Sequence, residues 1–323
     1  MTTAAEFVLL EGYPFVKLSC EENNVATEAY ITPWAGANLC RFTHDGHSFI
    51  DFDPELLQQG SFTGAFLLYP TCNRMRDQKF TYKGRTYTHP SADPGAYMHG
   101  LARREIFKIQ RMEAEAERAV LTCVLDFSAG ESTRYQAYPF AHRFTVSYIV
   151  TPGRIRTQFE IFNLSGETMP FGLGIHPYFP RLAGEAGTTL EVPAKSHMAA
   201  TPDLLPTGGT YAVEGGFDLR TPQAVGTLDL DTVYCDRIPE RKAILRYAEI
   251  PYQFTLDASE CFTHFVVFTP KGKPYFCVEN QTCSTDAINM HEKGFEKAAH
   301  LLELENGKHF DAWLDFCAEA CII

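Results

Sequence analysis

Residues 154–161 read Arg-Ile-Arg-Thr-Gln-Phe-Glu-Ile, and this octapeptide decides the fold class. Ile155, Thr157, Phe159 and Ile161 alternate with Arg154, Arg156, Gln158 and Glu160. Successive side chains of a strand point to opposite faces, so a period of two predicts a strand with one apolar face and one wet face. Working outward, similar runs predict strands at 120–127, 144–150, 243–247, 265–269 and 275–279. Near the end Phe310, Ala312, Leu314 and Phe316 alternate again, although Trp313 interrupts the polar face. Asp45-Gly46, Lys83-Gly84, Pro152-Gly153 and Asn306-Gly307 punctuate the runs as turns. Short helices are expected only around 292–302 and over the last few residues. No linker, low-complexity tract or internal repeat divides the 323 residues. The expectation is therefore one all-β domain over residues 1–323, an antiparallel sandwich with few short helices.

Composition narrows the function classes. The formal net charge of −12 argues against nucleic acid or an anionic membrane as a general partner. No apolar run approaches the roughly 20 residues that span a bilayer. The first residues, Met-Thr-Thr-Ala-Ala-Glu6, carry no basic leader, so no secretory signal is expected. Ten cysteines are scattered without a Cys-x-x-Cys pair, and Cys123 and Cys277 fall within strand-like runs. Buried free thiols in a reducing cytoplasm explain this usage. Cys317 and Cys321 have helical spacing, but no paired histidines follow and zinc is not expected.

Four segments hold the residues that could carry chemistry: NRM at 73–75, MHG at 98–100, GIHPYF at 174–179 and FCVENQT at 276–282. Pro177 pushes His176 into an extended conformation at the lip of a strand. An imidazole there can exchange a proton near neutral pH, or it can be a satisfied core histidine. Glu279 shares a strand face with Tyr275 and Cys277, an unusual place for a carboxylate unless it ends the strand in solvent. If that face lines a cleft, desolvation raises its pKa. Asn73 and Arg74 combine an amide that donates and accepts with a rigid guanidinium fork, or they are a turn asparagine beside a surface arginine. His99 precedes a glycine, as many loop histidines do. Asp231 and Asp229 lie two residues apart before Tyr234, and either could be a solvated aspartate.

In content and in order these segments resemble the aldose 1-epimerase (galactose mutarotase) superfamily, from about Gly36 to about Phe316. The resemblance implies a β-supersandwich whose two broad sheets curve around a sugar cleft. It implies interconversion of the α and β anomers of a free hexose such as galactose or glucose, without metal or organic cofactor. Glu279 would be the general base and His176 the acid that protonates the ring oxygen. Asn73, Arg74, His99 and Asp231 would bind the sugar, Asp231 being preferred to Asp229 for its D-x-x-[FY] spacing to Tyr234. Two departures stand out. Ser284 replaces the usual proline, which predicts a looser loop, and Pro180-Arg181 replaces the Asn-Leu of galactose-specific members, which leaves the sugar open.

One alternative is a hexose-6-phosphate mutarotase, because His99-Gly-Leu-Ala-Arg103-Arg104 is similar to the H-G-F-A-R of phosphate-specific relatives. The NRM segment follows the free-sugar pattern instead, there is no Arg-Gly-Gly run, and the two arginines also read as surface charges. A non-catalytic sugar-binding protein should have lost one proton-transfer group, yet both His176 and Glu279 stand in place. A glycosidase using Asp231 and Glu279 would leave His176 without a part. A small aldose is the expected partner, with neither nucleic acid nor membrane, for a cytoplasmic monomer or homodimer.

Overall fold

The alternating octapeptide lies within the strand Arg154–Asn163, in which Ile155, Thr157, Phe159 and Ile161 are all buried. The structure, a computed structural model, describes residues 1–130, 133–181, 187–248 and 250–321. Arg154–Asn163 pairs antiparallel with His142–Thr151 on one side and His309–Ala320 on the other. These strands form the middle of a nine-stranded sheet that also holds Lys108–Ala114, Ala119–Phe127, Thr188–Glu191, Ala243–Tyr247 and Tyr252–Ala258.

The second sheet has 13 strands. Its first four path members, from Thr2–Leu10 to Asn38–His44, follow chain order. The path then runs through Ala65–Leu68, Gly174–Pro177, Tyr275–Gln281, His264–Phe268 and Asp231–Arg237 before reaching Ala194–Ala200 and Pro206–Ala212. Segments more than a hundred residues apart in sequence therefore become neighbours at its centre.

The inner faces of the two sheets meet in one apolar core that includes Ile31, Leu39 and Val278 from the larger sheet and Val146, Phe159 and Phe316 from the smaller. Aromatic contacts cross between them, such as Phe42 to Phe254 at 5.8 Å between ring centres. Tyr148 also donates its hydroxyl to the Ala37 carbonyl at 2.5 Å. This packing shows that the space between the sheets is filled, so it cannot be a sugar cleft. On the outer face of the larger sheet a smaller apolar cluster (Phe66, Leu68, Cys72, Met198, Cys283, Met290) supports the covering loops.

The all-β, antiparallel expectation holds, and each predicted turn joins consecutive strands with a positive-φ residue, as at Asp45-Gly46 and Lys83-Gly84. Two helix expectations need correction. In place of one helix over 292–302 there are two short ones, Ala287–Glu292 and Glu296–Ala299, divided at Gly294, whose φ of +85° ends a right-handed helix. Near the carboxyl end the strand continues to Ala320, because its apolar alternation is paired on both sides. Cys317 therefore lies on a strand, and the helical Cys317–Cys321 spacing has no helix to act on. No helix among the described residues is long and apolar enough to cross a membrane.

Candidate active site

The alternation of the Tyr275–Gln281 strand positions the first key group. Phe276 and Val278 enter the inter-sheet core, which turns Cys277, Glu279 and Gln281 to the outer face. Glu279 is 2% exposed, so it is neither at a strand end nor solvated. On the adjacent strand Ile175 enters the core and His176 faces outward, opposite Phe66 in the ladder with Ala65–Leu68. His176 Nε2 and Glu279 Oε1 consequently meet at 3.2 Å. Gln281 Nε2 donates to the other carboxylate oxygen, Oε2, at 2.8 Å.

Aromatic rings fix the imidazole. Phe66 stacks on it at 4.7 Å and Tyr178 at 4.9 Å between ring centres, while His99 meets it edge-on at 4.9 Å. Phe66 and Tyr178 thus hold the plane of the histidine ring.

The covering loops hold the remaining predicted residues. Asn73 and His99 both adopt positive φ, and the His99 N–H donates to the Asn73 carbonyl at 2.9 Å. Gly100 adjoins the Tyr69 backbone so closely that a Cβ would lie 2.4 Å from the Tyr69 carbonyl oxygen. Arg74 donates through Nη1 to Asn73 Oδ1 at 3.0 Å. Its loop is tied to the segment after Glu279 by Asp286, whose N–H donates to the Arg74 carbonyl at 3.0 Å and whose Oδ1 accepts from the Arg76 N–H at 3.1 Å. Ser284 does not loosen this segment: it is buried, and its N–H donates to the Ala299 carbonyl at 3.1 Å, a bond proline could not make.

Burial dominates the electrostatics. It pushes the Glu279 carboxyl well above the ordinary carboxylate range; the Gln281 hydrogen bond and Arg74 oppose the shift and Asp231 adds to it. Burial also lowers the His176 imidazole far below its ordinary range, and His99 likewise, with His176 adding to the latter shift. Asp231 is raised by desolvation and drawn back by Arg74. Arg74 thus acts on Asp231, Glu279 and His99 at once.

All six predicted residues, Asn73, Arg74, His99, His176, Asp231 and Glu279, converge here. Asp229 lies apart from them: it precedes the strand Asp231–Arg237 and pairs with Lys271 at 2.8 Å on the surface. Gln281, Phe66, Tyr178 and Phe62, the last edge-on to His99 at 5.0 Å, have contacts that sequence reasoning did not assign. The period of two gave the only available signal for Gln281, which shares the Glu279 face. A separate cavity of about 690 Å³, bordered by Lys195, Asp236, His264 and His300, lies further along the sheet and contains none of the six. No three His, Cys, Asp or Glu side chains among the described residues converge as a metal-ligand set.

Comparison with known proteins bears on this arrangement. The sequence profile of the aldose 1-epimerase family matches residues 22–317. YihR of Escherichia coli K12, itself uncharacterised, is 24% identical over 287 residues, covering 84% of each chain. A galactose mutarotase-like protein from Clostridium acetobutylicum shares the fold with a TM-score of 0.87, at 18% identity over 99% of both chains. Galactose 1-epimerase from Lactobacillus acidophilus NCFM gives a TM-score of 0.76 at 16% identity, over 98% of this chain and 99% of that one. These solved structures establish the β-supersandwich, and the profile spans most of the sequence. The chain belongs to the aldose 1-epimerase family of isomerases.

Proposed function

We propose that the His176–Glu279 pair interconverts the α and β anomers of an aldohexose of the galactose or glucose type by general acid–base ring opening and closure. The observation that carries this reading is the 3.2 Å approach of His176 Nε2 to Glu279 Oε1 at the floor of the outer-face site. In a pyranose, O1 and the ring oxygen are both bonded to C1, so two adjacent protein groups can serve both. Glu279 as carboxylate takes the O1 proton while His176 as imidazolium protonates the ring oxygen. The C1–O5 bond breaks, O1 becomes the aldehyde oxygen, and C1 turns about the C1–C2 bond. Closure on the other face reverses both transfers. The pair thus passes from carboxylate and imidazolium to carboxylic acid and imidazole while keeping one proton throughout. Burial favours the neutral forms of both groups, which supplies a driving force for the opening step.

In this reading Asn73, Arg74 and His99 hold ring hydroxyls from the loop side, and Asp231 accepts from a hydroxyl near Glu279. The core shared by both sheets supports residues 1–323 acting as a single catalytic unit. Ten unpaired thiols support a cytoplasmic site of action.

Magnetisation exchange between α and β anomers, followed by NMR with purified protein, tests the proposal. Glu279→Gln and His176→Asn should each lower kcat by roughly 10²–10⁴-fold with sugar affinity nearly unchanged. A Glu279→Gln protein with undiminished turnover would remove Glu279 as the base. Sugar-induced thermal stabilisation without exchange in the wild type would point to a binding protein.

A further inference from the structure

Cys72 and Cys283 come from segments far apart in the chain and meet beneath the covering loops. Cys72 immediately precedes Asn73, and Cys283 lies four residues beyond Glu279. Both are free thiols, 2% and 1% exposed. Their side chains are hydrogen-bonded to one another. Gly172 makes the room for them: a Cβ there would lie 2.3 Å from the Cys283 sulfur and 3.5 Å from the Cys72 sulfur. Any larger residue at 172 would occupy the space that the two sulfurs share.

The surroundings tie this pair to the reacting groups. Arg74 and Asp286 border the same void as the two cysteines, a space of about 10 Å³ that suits about one water. The Glu279 charge reaches the Cys72 thiol through space. Hydrogen bonds between Asp286 and the Arg74–Arg76 loop already hold the two segments together. A covalent link from Cys72 to Cys283 would run beside those bonds. A disulfide brings its sulfurs much closer than hydrogen-bonded thiols stand. Closing it therefore draws the two segments together and shifts Asn73 and Arg74 relative to Glu279.

We propose that Cys72 and Cys283 form a modification site, joined reversibly by a peroxide into a disulfide that disables the acid–base site above them. What is disabled rests on the acid–base reading; the cross-link itself does not. The small void favours hydrogen peroxide over any bulkier oxidant. One sulfur, as thiolate, attacks the peroxide O–O bond and becomes a sulfenic acid, while the departing hydroxide takes up a proton as water. The second sulfur loses its proton and displaces the sulfenic hydroxyl, which leaves as another water. Two thiols and one peroxide thus give one disulfide and two waters. Burial raises the Cys72 pKa well above the ordinary thiol value, so thiolate is scarce near neutrality and closure quickens as pH rises.

Treating the reduced protein with hydrogen peroxide and mapping its peptides without reductant tests the proposal. The expected product is a Cys72–Cys283 linked peptide, lighter by two hydrogens, that forms faster at about pH 9 than at about pH 7. Anomer exchange should lose at least about tenfold in kcat/KM, since a misplacement of about 1 Å can cost that or more, and dithiothreitol should restore it. Cys72→Ser and Cys283→Ser, each compared with its own untreated sample, should keep their turnover through the same treatment. Cys321→Ser, beyond the last strand of the smaller sheet, should lose turnover as the wild type does. Absence of the linked peptide, a linked protein with undiminished turnover, or equal inactivation of the Cys72 and Cys283 variants would each overturn the proposal. If the reduced protein exchanges no sugar, the acid–base reading fails by itself. The switch then survives only if linkage abolishes thermal stabilisation by galactose or glucose.

Discussion

Glu279 and His176 hold a proton count between them rather than two fixed charges. In the proposed mechanism the working form carries one proton on the pair, and activity should fall when a second is gained or the first is lost. If both side chains titrated as though exposed, the one-proton window would lie between 4.5 and 6.5, their ordinary values. Burial moves both edges outward, lowering the histidine and raising the carboxyl. The expected kcat/KM profile is therefore broader than that window, with its acid limb below the imidazole range and its alkaline limb above the ordinary carboxylate value. An optimum confined between 4.5 and 6.5 would show that the pair is not desolvated as described. At this scale the sequence was informative where geometry is local. Pro177 signalled an extended His176, and strand parity placed Glu279 with Cys277. It was silent on Gln281 as the partner of a carboxylate oxygen, because an amide two residues along a strand has many ordinary uses. For Asp231 the spacing to Tyr234 gave a preference over Asp229, and the fold adds that Asp231 lies near Arg74 and Glu279 while Asp229 pairs with Lys271 on the surface.

The Met98–Gly100 turn shows how an element delivers a side chain. His99 reaches the imidazole of His176 only because the turn closes on the Tyr69–Asn73 segment, through His99 N–H to Asn73 O and Leu101 N–H to Tyr69 O at 2.7 Å. Gly100, at φ +80°, permits the approach. Gly100→Ala combines a disfavoured φ with a clash against backbone and should destabilise the fold by roughly 1–3 kcal/mol. The displaced His99 should also lower kcat/KM at least about tenfold, since a misplacement of about 1 Å can cost that or more. Urea unfolding and anomer exchange on the same preparation check both parts. An alanine variant with wild-type stability and turnover would show that the turn does not set the site. Strands and hairpin turns were legible because a period of two and Gly-containing turns are local signals. The helices were misplaced because Ala287–Glu292 and Glu296–Ala299 are too short to display a helical period.

At the scale of the molecule, the sheet order was not legible. Nothing local requires Gly174–Pro177 to lie between Ala65–Leu68 and Tyr275–Gln281, yet that adjacency puts His176 beside Glu279. The same adjacency, with loops packed above and the filled core below, buries a carboxyl group in the folded state that the unfolded chain exposes. Because the folded pKa of Glu279 is raised, the group's favourable contribution is fully present below its ordinary value of 4.5 and is lost as pH rises through the folded value. A tenfold difference in proton affinity between the folded and unfolded carboxyl corresponds to about 1.4 kcal/mol of stability. Glutamine fills nearly the same volume, can still accept from Gln281, and does not titrate. Glu279→Gln should therefore be more stable than the wild type at alkaline pH, with the difference shrinking toward acid. His176 runs the other way, its lowered pKa removing stability as pH falls through the imidazole range; above that range it is neutral in both proteins, so the neutral-to-alkaline part of the difference belongs to Glu279. Urea melts of the two proteins at about pH 5, 7 and 9 isolate the Glu279 contribution. A stability difference that stays constant or narrows with rising pH would mean that the fold does not hold this carboxyl in its neutral form. A widening difference, together with lost turnover, would identify the catalytic carboxylate as a group kept at the expense of stability.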